Sequence, residues 1–284
     1  MHPILLDLPA WGIRLRAAET MVQASVIGVI ACTLLFAWAL ERQSPRRVLP
    51  AMLVLAVVVL VGGRIHYVLN HWMAYSGQVL RAFMVWKGQF HIPGGMIALV
   101  LATPFVCRRF GIPTGKLADA LAPAVGIGIV IARIGCLLQG CCYGDFCEGA
   151  WCMTFPAGSQ AHELHWRTAH VVQDARASLP VHPLQLYFAA AGALIAAASL
   201  LLSRAKRYDG QVALLAMLVF SASSFGLEFL RNDFPPRRYW GSWPQLAWTT
   251  GAMTAASVMA LAWAEVRHWR SARRTVAAPL LVSR

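Results

Sequence analysis

The sequence predicts an all-α polytopic membrane protein of about seven transmembrane helices with a small extracytoplasmic head. Three observations carry that prediction. Hydrophobic residues make up 58% of the chain and charged residues only 13%, against roughly 25% charged in soluble domains. Apolar runs of about 20 residues recur along it, each long enough to cross the hydrocarbon of a bilayer. The formal net charge is nonetheless +13, and most basic residues fall between the runs. Such a charge fits nucleic-acid binding or basic loops against anionic lipid. The apolar runs decide for the membrane, and no nucleic-acid partner is expected.

The opening segment carries Asp7, Arg14, Arg16 and Glu19. Its apolar run is too short for a cleavable signal peptide, and it reads as an interfacial lead-in with Pro9 and Trp11 near the headgroups. The first span is Met21–Leu40, without charge. The second is Val48–Leu69, interrupted by Arg64. The third, Gly88–Cys107, contains Gly94, Gly95 and Pro104, which lipid tolerates where neighbouring helices cover the backbone. The fourth, Leu117–Leu138, holds Asp119 near one end and Arg133 near the other. The long polar loop Gln139–Pro183, rich in His and Cys, forms the cap. Leu184–Ser203, Gln211–Leu230 with Glu228 as its one charge, and Tyr239–Ala264 complete the set. There is no internal repeat or low-complexity segment, so residues 1–284 form one integral membrane domain plus the cap.

Charge asymmetry orients the bundle. The linkers after spans one, three and five carry Arg42, Arg46, Arg47, Arg108, Arg109, Lys116, Arg204, Lys206 and Arg207, and the tail adds Arg267, Arg270, Arg273, Arg274 and Arg284. The opposite side holds fewer: Arg14, Arg16, Arg81, Lys87, Arg167, Arg176, Arg231, Arg237 and Arg238. Positive-inside then places the N-terminus outside and the C-terminus in the cytoplasm. Trp72, Trp86, Trp151, Trp166, Trp240, Trp243 and Trp248 fall near the outer span ends, as an interfacial belt would.

Charges inside a membrane are costly and mark function by default. Arg64, Arg133, Glu228 and Arg231 all fall toward the outer ends of their spans, and Glu228 and Arg231 share a helix face at i, i+3. Three arginines and a glutamate suit a phosphate headgroup, because a guanidinium binds phosphate bidentately and cannot lose its charge. Structural pairing of Glu228 with an arginine is the alternative. His91 precedes Gly94-Gly95, a pair that permits close backbone approach to a ligand, and an imidazole can accept a proton near neutral pH.

Cys136, Cys141, Cys142, Cys147 and Cys152 crowd into one stretch on the inferred outer side, where disulfides are permitted. Five cysteines allow two bridges and one free thiol. One or two structural disulfides are the favoured reading; a metal site or a reactive thiol stays open, although the spacing matches no standard zinc pattern. If the fourth helix continues through them, Cys136 and Cys142 do not face each other.

Several motifs together carry a resemblance. They are Gly62-Gly63-Arg64-Ile65-His66-Tyr67, Asp119-Ala120-Leu121-Ala122-Pro123 with Ala132-Arg133-Ile134-Gly135, and His182-Pro183-Leu184-Gln185-Leu186-Tyr187. Glu228-Phe229-Leu230-Arg231 and Trp243-Pro244-Gln245-Leu246 follow in order. Collinear over roughly residues 60–250, this set resembles the bacterial prolipoprotein diacylglyceryl transferases. The resemblance implies transfer of a diacylglyceryl group from phosphatidylglycerol to the lipobox cysteine of a prolipoprotein, in the bacterial cytoplasmic membrane, without metal or other cofactor. It implies catalytic roles for His91, Arg133, Glu228 and Arg231. It further implies substrate contacts by Arg64, Tyr67, Gly94, Gly95, Gln185, Tyr187 and Gln245. This chain departs from the family pattern at the signature, where Cys136 replaces an Asn and Cys141 a Glu. Two residues also separate His91 from its glycines, and Ser224 replaces an arginine. Two other readings remain: a paralogue that moves a lipid-derived group to another acceptor, and a non-catalytic lipid-binding or transport protein.

Overall fold

The computed structural model describes residues 4–8, 13–75, 90–168, 170, 175–231, 239–240 and 243–277. The chain opens with a ribbon of β1 (Ile4–Leu8) and β2 (Ile13–Arg16), paired antiparallel. Helices α1 (Ala17–Ala39), α2 (Pro45–Asn70) and the short α3 (Trp72–Tyr75) follow. Next come α4 (Ile92–Phe110), α5 (Thr114–Gln139), the cap helix α6 (Gln160–Arg167), α7 (Leu184–Leu202) and α8 (Gln211–Glu228). A two-residue ribbon, β3 (Tyr239–Trp240) with β4 (Trp243–Pro244), leads into α9 (Gln245–Ala277).

Among the described residues, six helices are long and apolar enough to cross a membrane: α2, α4, α5, α7, α8 and the part of α1 from Thr20. They match the first six expected spans to within a few residues. The seventh differs. Residues 239–240 and 243–244 are extended, the helix starts only after Pro244, and it runs on to Ala277, well past the expected end at Ala264. Its final turns carry basic residues, with the Arg267 guanidinium 5.1 Å from the Trp263 ring and that of Arg273 3.7 Å from Trp269. The opening segment is likewise a ribbon, a fold that its alternation of apolar and polar residues, Ile13-Arg14-Leu15-Arg16, favours. Pro9, Trp11, Arg81, Trp86, Lys87, Arg237, Arg238 and Arg284 lie outside the described residues.

Helix α5 is the axis. It packs against α1, α7, α8 and α4, while α2 pairs with α4 and α8 with α9. Helices in lipid gain little from the hydrophobic effect against one another, so close backbone contact through small residues holds them. α5 supplies those residues. A Cβ at Gly126 would stand 2.6 Å from the backbone of Gly192 and Ala196 on α7. Leu53, Val57, Phe105 and Leu194 face outward, as lipid-facing positions do.

At one end of α5 lies a buried ionic knot. The Asp119 side chain is fully buried. Its Oδ2 accepts from Lys206 Nζ (2.8 Å) and Gly210 N (2.9 Å), and its Oδ1 from Ala213 N (3.0 Å). The carboxylate therefore both pairs with a cation and caps the first turn of α8. Lys206 also donates to Glu41 at 2.7 Å and meets Asp209 at 3.1 Å. Burial alone would lower the Lys206 ammonium, but hydrogen bonds to Asp119 and Glu41 outweigh it, so its pKa is raised. Replacing Lys206 with Met leaves two buried carboxylates without their shared cation. We expect Lys206→Met to lose about 3 kcal/mol of stability, read as a lowered midpoint of thermal inactivation in detergent. An unchanged midpoint would show that the knot contributes nothing.

Candidate active site

The site begins where α2 and α4 touch. His91 is extended (φ −99°, ψ 117°) at the entry to α4. Its N–H donates to Gly63 O (3.2 Å), and its carbonyl accepts from Gly95 N (3.3 Å). A Cβ at Gly94 would stand 2.1 Å from His66 Cβ and 2.8 Å from Gly62 O. The missing side chain thus brings α4 against α2; one at Gly95 would meet Val59. The close approach that these two glycines allow is to α2.

This contact seats His91 among the aromatics of α2. His91 Nδ1 is 3.2 Å from His66 Nδ1, and His66 Nε2 is 3.4 Å from Thr249 Oγ1 on α9. Two imidazole nitrogens at that distance require one donor and one acceptor, so His91, His66 and Thr249 form a path along which a proton can move. Tyr67 stacks on His71 at 4.3 Å and meets His91 edge-on at 5.0 Å. The Arg64 guanidinium, on a buried residue, lies 5.8 Å from the Tyr67 ring and 5.5 Å from Tyr75.

The second half is built where α5, α7 and α8 end under the cap. Arg133 lies over the Phe188 ring of α7 at 4.2 Å. Arg231 meets buried Glu228 at 3.8 Å, the i, i+3 pairing expected from sequence. Gly144 of the cap bridges to Arg231, while Asp145 N donates to Leu230 O and Gly144 N to His182 O, both at 2.8 Å. The cap therefore stitches the end of α8 to the start of α7. Gln185 is completely buried and donates through Nε2 to Cys141 O at 2.7 Å. Tyr187 Oη is 3.4 Å from His182 Nδ1, and Gln245 is half-buried at the first residue of α9. The charge of Arg231 acts on both His91 and Cys142, and that of Arg133 acts on Cys142 too. Arg231 thus links the two halves electrostatically.

The cysteines divide. Cys147 and Cys152 form a disulfide in the cap, as one of the expected bridges. Cys136, Cys141 and Cys142 are free, and their sulfurs all lie within 4.8 Å of one another. The expectation that Cys136 and Cys142 turn away from each other is corrected here. It assumed a continuing helix, whereas α5 ends at Gln139. Gly140 is left-handed (φ 71°) and Cys142 also has a positive φ of 58°, so the chain doubles back. Hydrogen bonds from Cys136 and Cys141 hold the Cys142 thiol well below the ordinary thiol range against the opposing effect of burial, helped by Arg133 and Arg231. Hydrogen bonding with the same two neighbours and burial push Cys141 up.

Sequence reasoning missed His71 and Thr249, and quoted His66 without giving it a role. A signal existed: His66, Tyr67, Asn70 and His71 form a polar stripe at i, i+1, i+4 and i+5, unusual at the end of an apolar span.

The cap itself has a small core of Tyr143, Phe155, Ala161 and Val181. Ser159 caps α6 by accepting from His162 N at 3.2 Å. His162 Nε2 meets Ala175 O at 2.8 Å, and His165 Nδ1 accepts from Leu179 N at 3.2 Å.

A family model described as Prolipoprotein diacylglyceryl transferase matches residues 19–266. Individual relatives agree with it. A phosphatidylglycerol–prolipoprotein diacylglyceryl transferase of Neisseria meningitidis is 36% identical over 184 residues, 61% of this chain and 64% of that protein. The proteins of the same name from Geobacter sulfurreducens and Nitratidesulfovibrio vulgaris are 29% identical over 180 residues and 31% over 176. Those alignments cover 63% and 61% of this chain, and 62% and 60% of the relatives. The chain therefore spans less than two thirds of the length of the curated relatives it matches.

Burial, and the charges of His170 and His162, lower the His165 pKa from its ordinary 6.5. The neutral ring is the one that fits, so its contribution to cap stability is present above about pH 6.5 and is lost as pH falls. Protonation also removes the acceptor for Leu179 N. Hydrogen exchange at the Leu179 amide is expected to quicken between neutral pH and pH 5, beyond the intrinsic pH dependence of exchange. A His165→Asn variant should lose this response; protection independent of pH in the unaltered protein would refute the assignment.

Proposed function

The chain belongs to the prolipoprotein diacylglyceryl transferase family, and from that premise we propose that it is a membrane transferase acting on a glycerophospholipid. It moves the diacylglyceryl group of phosphatidylglycerol onto the lipobox cysteine thiol of a prolipoprotein. The observation that carries this reading is the placement of Arg133 and Arg231. Arg133 stands on α5 and Arg231 just past the end of α8, and the charges of both act on Cys142. In the reaction the thiol sulfur attacks the glyceryl carbon that bears the phosphate. A C–S bond forms, the C–O bond breaks, and glycerol phosphate leaves with one more negative charge than it had as a diester. Stabilising that charge is the main catalytic task, and two guanidiniums suit it. Glu228 keeps Arg231 oriented. The thiol proton goes to His91, whose ring is coupled to His66 and, through it, to Thr249. Arg64, Tyr67, Tyr187 and Gln245 are assigned to substrate contact, with Gln185 supporting them from behind through the Cys141 carbonyl, and no cofactor takes part.

The protein is a bacterial multi-pass membrane protein. We place it in the cytoplasmic membrane with α9 as a seventh span, its N-terminus outside and its C-terminus inside. The excess of basic residues in the linkers at the Asp119 end and in the tail supports that orientation. The cap and the site then face outward, where prolipoproteins emerge. Cys136 and Cys141, standing where the family has Asn and Glu, favour one second reading: the same donor with a different acceptor thiol or hydroxyl.

In a bacterium depleted of its own diacylglyceryl transferase, the unaltered gene is expected to restore the gel shift of lipidated lipoprotein. Arg133→Ala and Arg231→Ala should each cut the rate by about 100-fold or more, at unchanged levels of inserted protein. Wild-type rates in either variant would remove the phosphate clamp, and failure of the folded, unaltered protein would favour the second reading.

A further inference from the structure

We propose that Cys136, Cys141 and Cys142 form a binding site for one thiophilic d10 cation, Zn2+ or Cu(I), held by three sulfurs with a further coordination position open.

The three sulfurs already lie within 4.8 Å of one another. Metal–sulfur bonds of about 2.3 Å put sulfurs about 3.8 Å apart in a tetrahedral site. The sulfurs therefore need to draw together by at most about 1 Å. The chain path holds the ligands together. Cys136 sits in the last turns of α5, the left-handed Gly140 ends the helix, and the positive φ of Cys142 turns that residue back. A non-glycine residue in that region is uncommon and is held there by its surroundings. The reversal is locked from α7, because Gln185 Nε2 holds Cys141 O at 2.7 Å.

The chemistry of the donor set selects the ion. Sulfur alone favours Zn2+ and Cu(I) and disfavours Mg2+ and Ca2+, which take oxygen. Three thiolates around Zn2+ carry one net negative charge and around Cu(I) two, and Arg133 and Arg231 act on Cys142 to offset it. Beside the cluster, the buried Gln185 Oε1 has no hydrogen-bond partner among the described residues. It offers an acceptor for a water in the open position. Cys147 and Cys152, whose sulfurs are bonded to each other, cannot serve.

The site is independent of the acceptor that the enzyme uses, so its test does not depend on transfer activity. Full-length protein in detergent, reduced and kept anaerobic, is titrated with Co2+ as a spectroscopic probe, then with Zn2+ or with Cu(I) against a chromophoric chelator. We expect intense cobalt–thiolate charge-transfer absorption saturating at about one equivalent per chain. Zn2+ or Cu(I) should abolish it, and the cation retained against the chelator identifies the preferred ion. Cys136→Ser and Cys142→Ser should each lose the absorption, while the double variant Cys147→Ser/Cys152→Ser keeps it. Cys141→Ala serves as a further variant should one of the others melt early. Absence of thiolate absorption in protein with three titratable thiols at the cluster would overturn the proposal, as would absorption undiminished in the serine variants. Isolation of the native protein with two of these three cysteines joined in a disulfide would overturn it too, in favour of a redox pair.

Discussion

A fully buried carboxylate must be hydrogen-bonded or give up its charge, and Asp119 accepts on both of its oxygens. Lys206 and two backbone amides of the α8 entry converge on it. Because Lys206 also reaches Glu41, one ammonium ties the α1–α2 linker, the start of α5 and the α7–α8 linker to a single point. An isolated buried pair of this kind would be weak evidence for stability, since desolvation consumes most of the attraction. Here the carboxylate also caps a helix, and that fixes where α8 begins. The rotational setting of α8, and with it the direction in which Glu228 points one helix-length away, follows from this anchor.

From that anchor α5 runs the whole thickness of the bundle, and what it carries at its far end is positioned by how tightly it is gripped along the way. The backbone contact at Gly126 leaves α5 and α7 no room to slide. Arg133 consequently stays over Phe188, and Gln185 meets the carbonyl of Cys141. The α2–α4 pair uses the same device at Gly94, where glycine brings His91 over His66. The site is thus a meeting of two rigid pairs, with the cap bridging α7 and α8. Guanidiniums and imidazoles held this way need little reorganisation when charge develops on a leaving phosphate.

The bundle was legible in the sequence because lipid imposes one rule, about 20 apolar residues per span, and six runs obey it plainly. The seventh blurred because the period of hydrophobicity does not register that residues before Pro244 are extended, nor that α9 continues to Ala277 as a basic, tryptophan-bearing helix. The Glu228–Arg231 pair was legible from spacing alone. Contacts between helices were not. Nothing in Gly94-Gly95 says whether a ligand or another helix fills the space, and nothing in the order of cysteines says that the chain reverses at Gly140. The trithiol cluster depends on two positive φ angles, and only one of them is announced by a glycine.

That reversal changes the electrostatics of the pocket. The charges of Arg133 and Arg231 act on this cluster, and Cys136 and Cys141 bring no fixed negative charge to meet them. Two guanidiniums with no carboxylate there attract an anion more strongly, but they repel each other and cost more to hold at the membrane edge. The Cys142 thiol, which hydrogen bonds from its two neighbours hold well below the ordinary thiol range, supplies negative charge there when it ionises. It does so with a soft, weakly hydrated sulfur in place of a carboxylate. Such a counter-ion differs from a glutamate in one decisive respect: it can be neutralised by a proton, an oxidant or a thiophilic cation. The electrostatic setting of Arg133 and Arg231 is therefore tied to the chemical state of these sulfurs, a coupling that a carboxylate at the same place cannot provide.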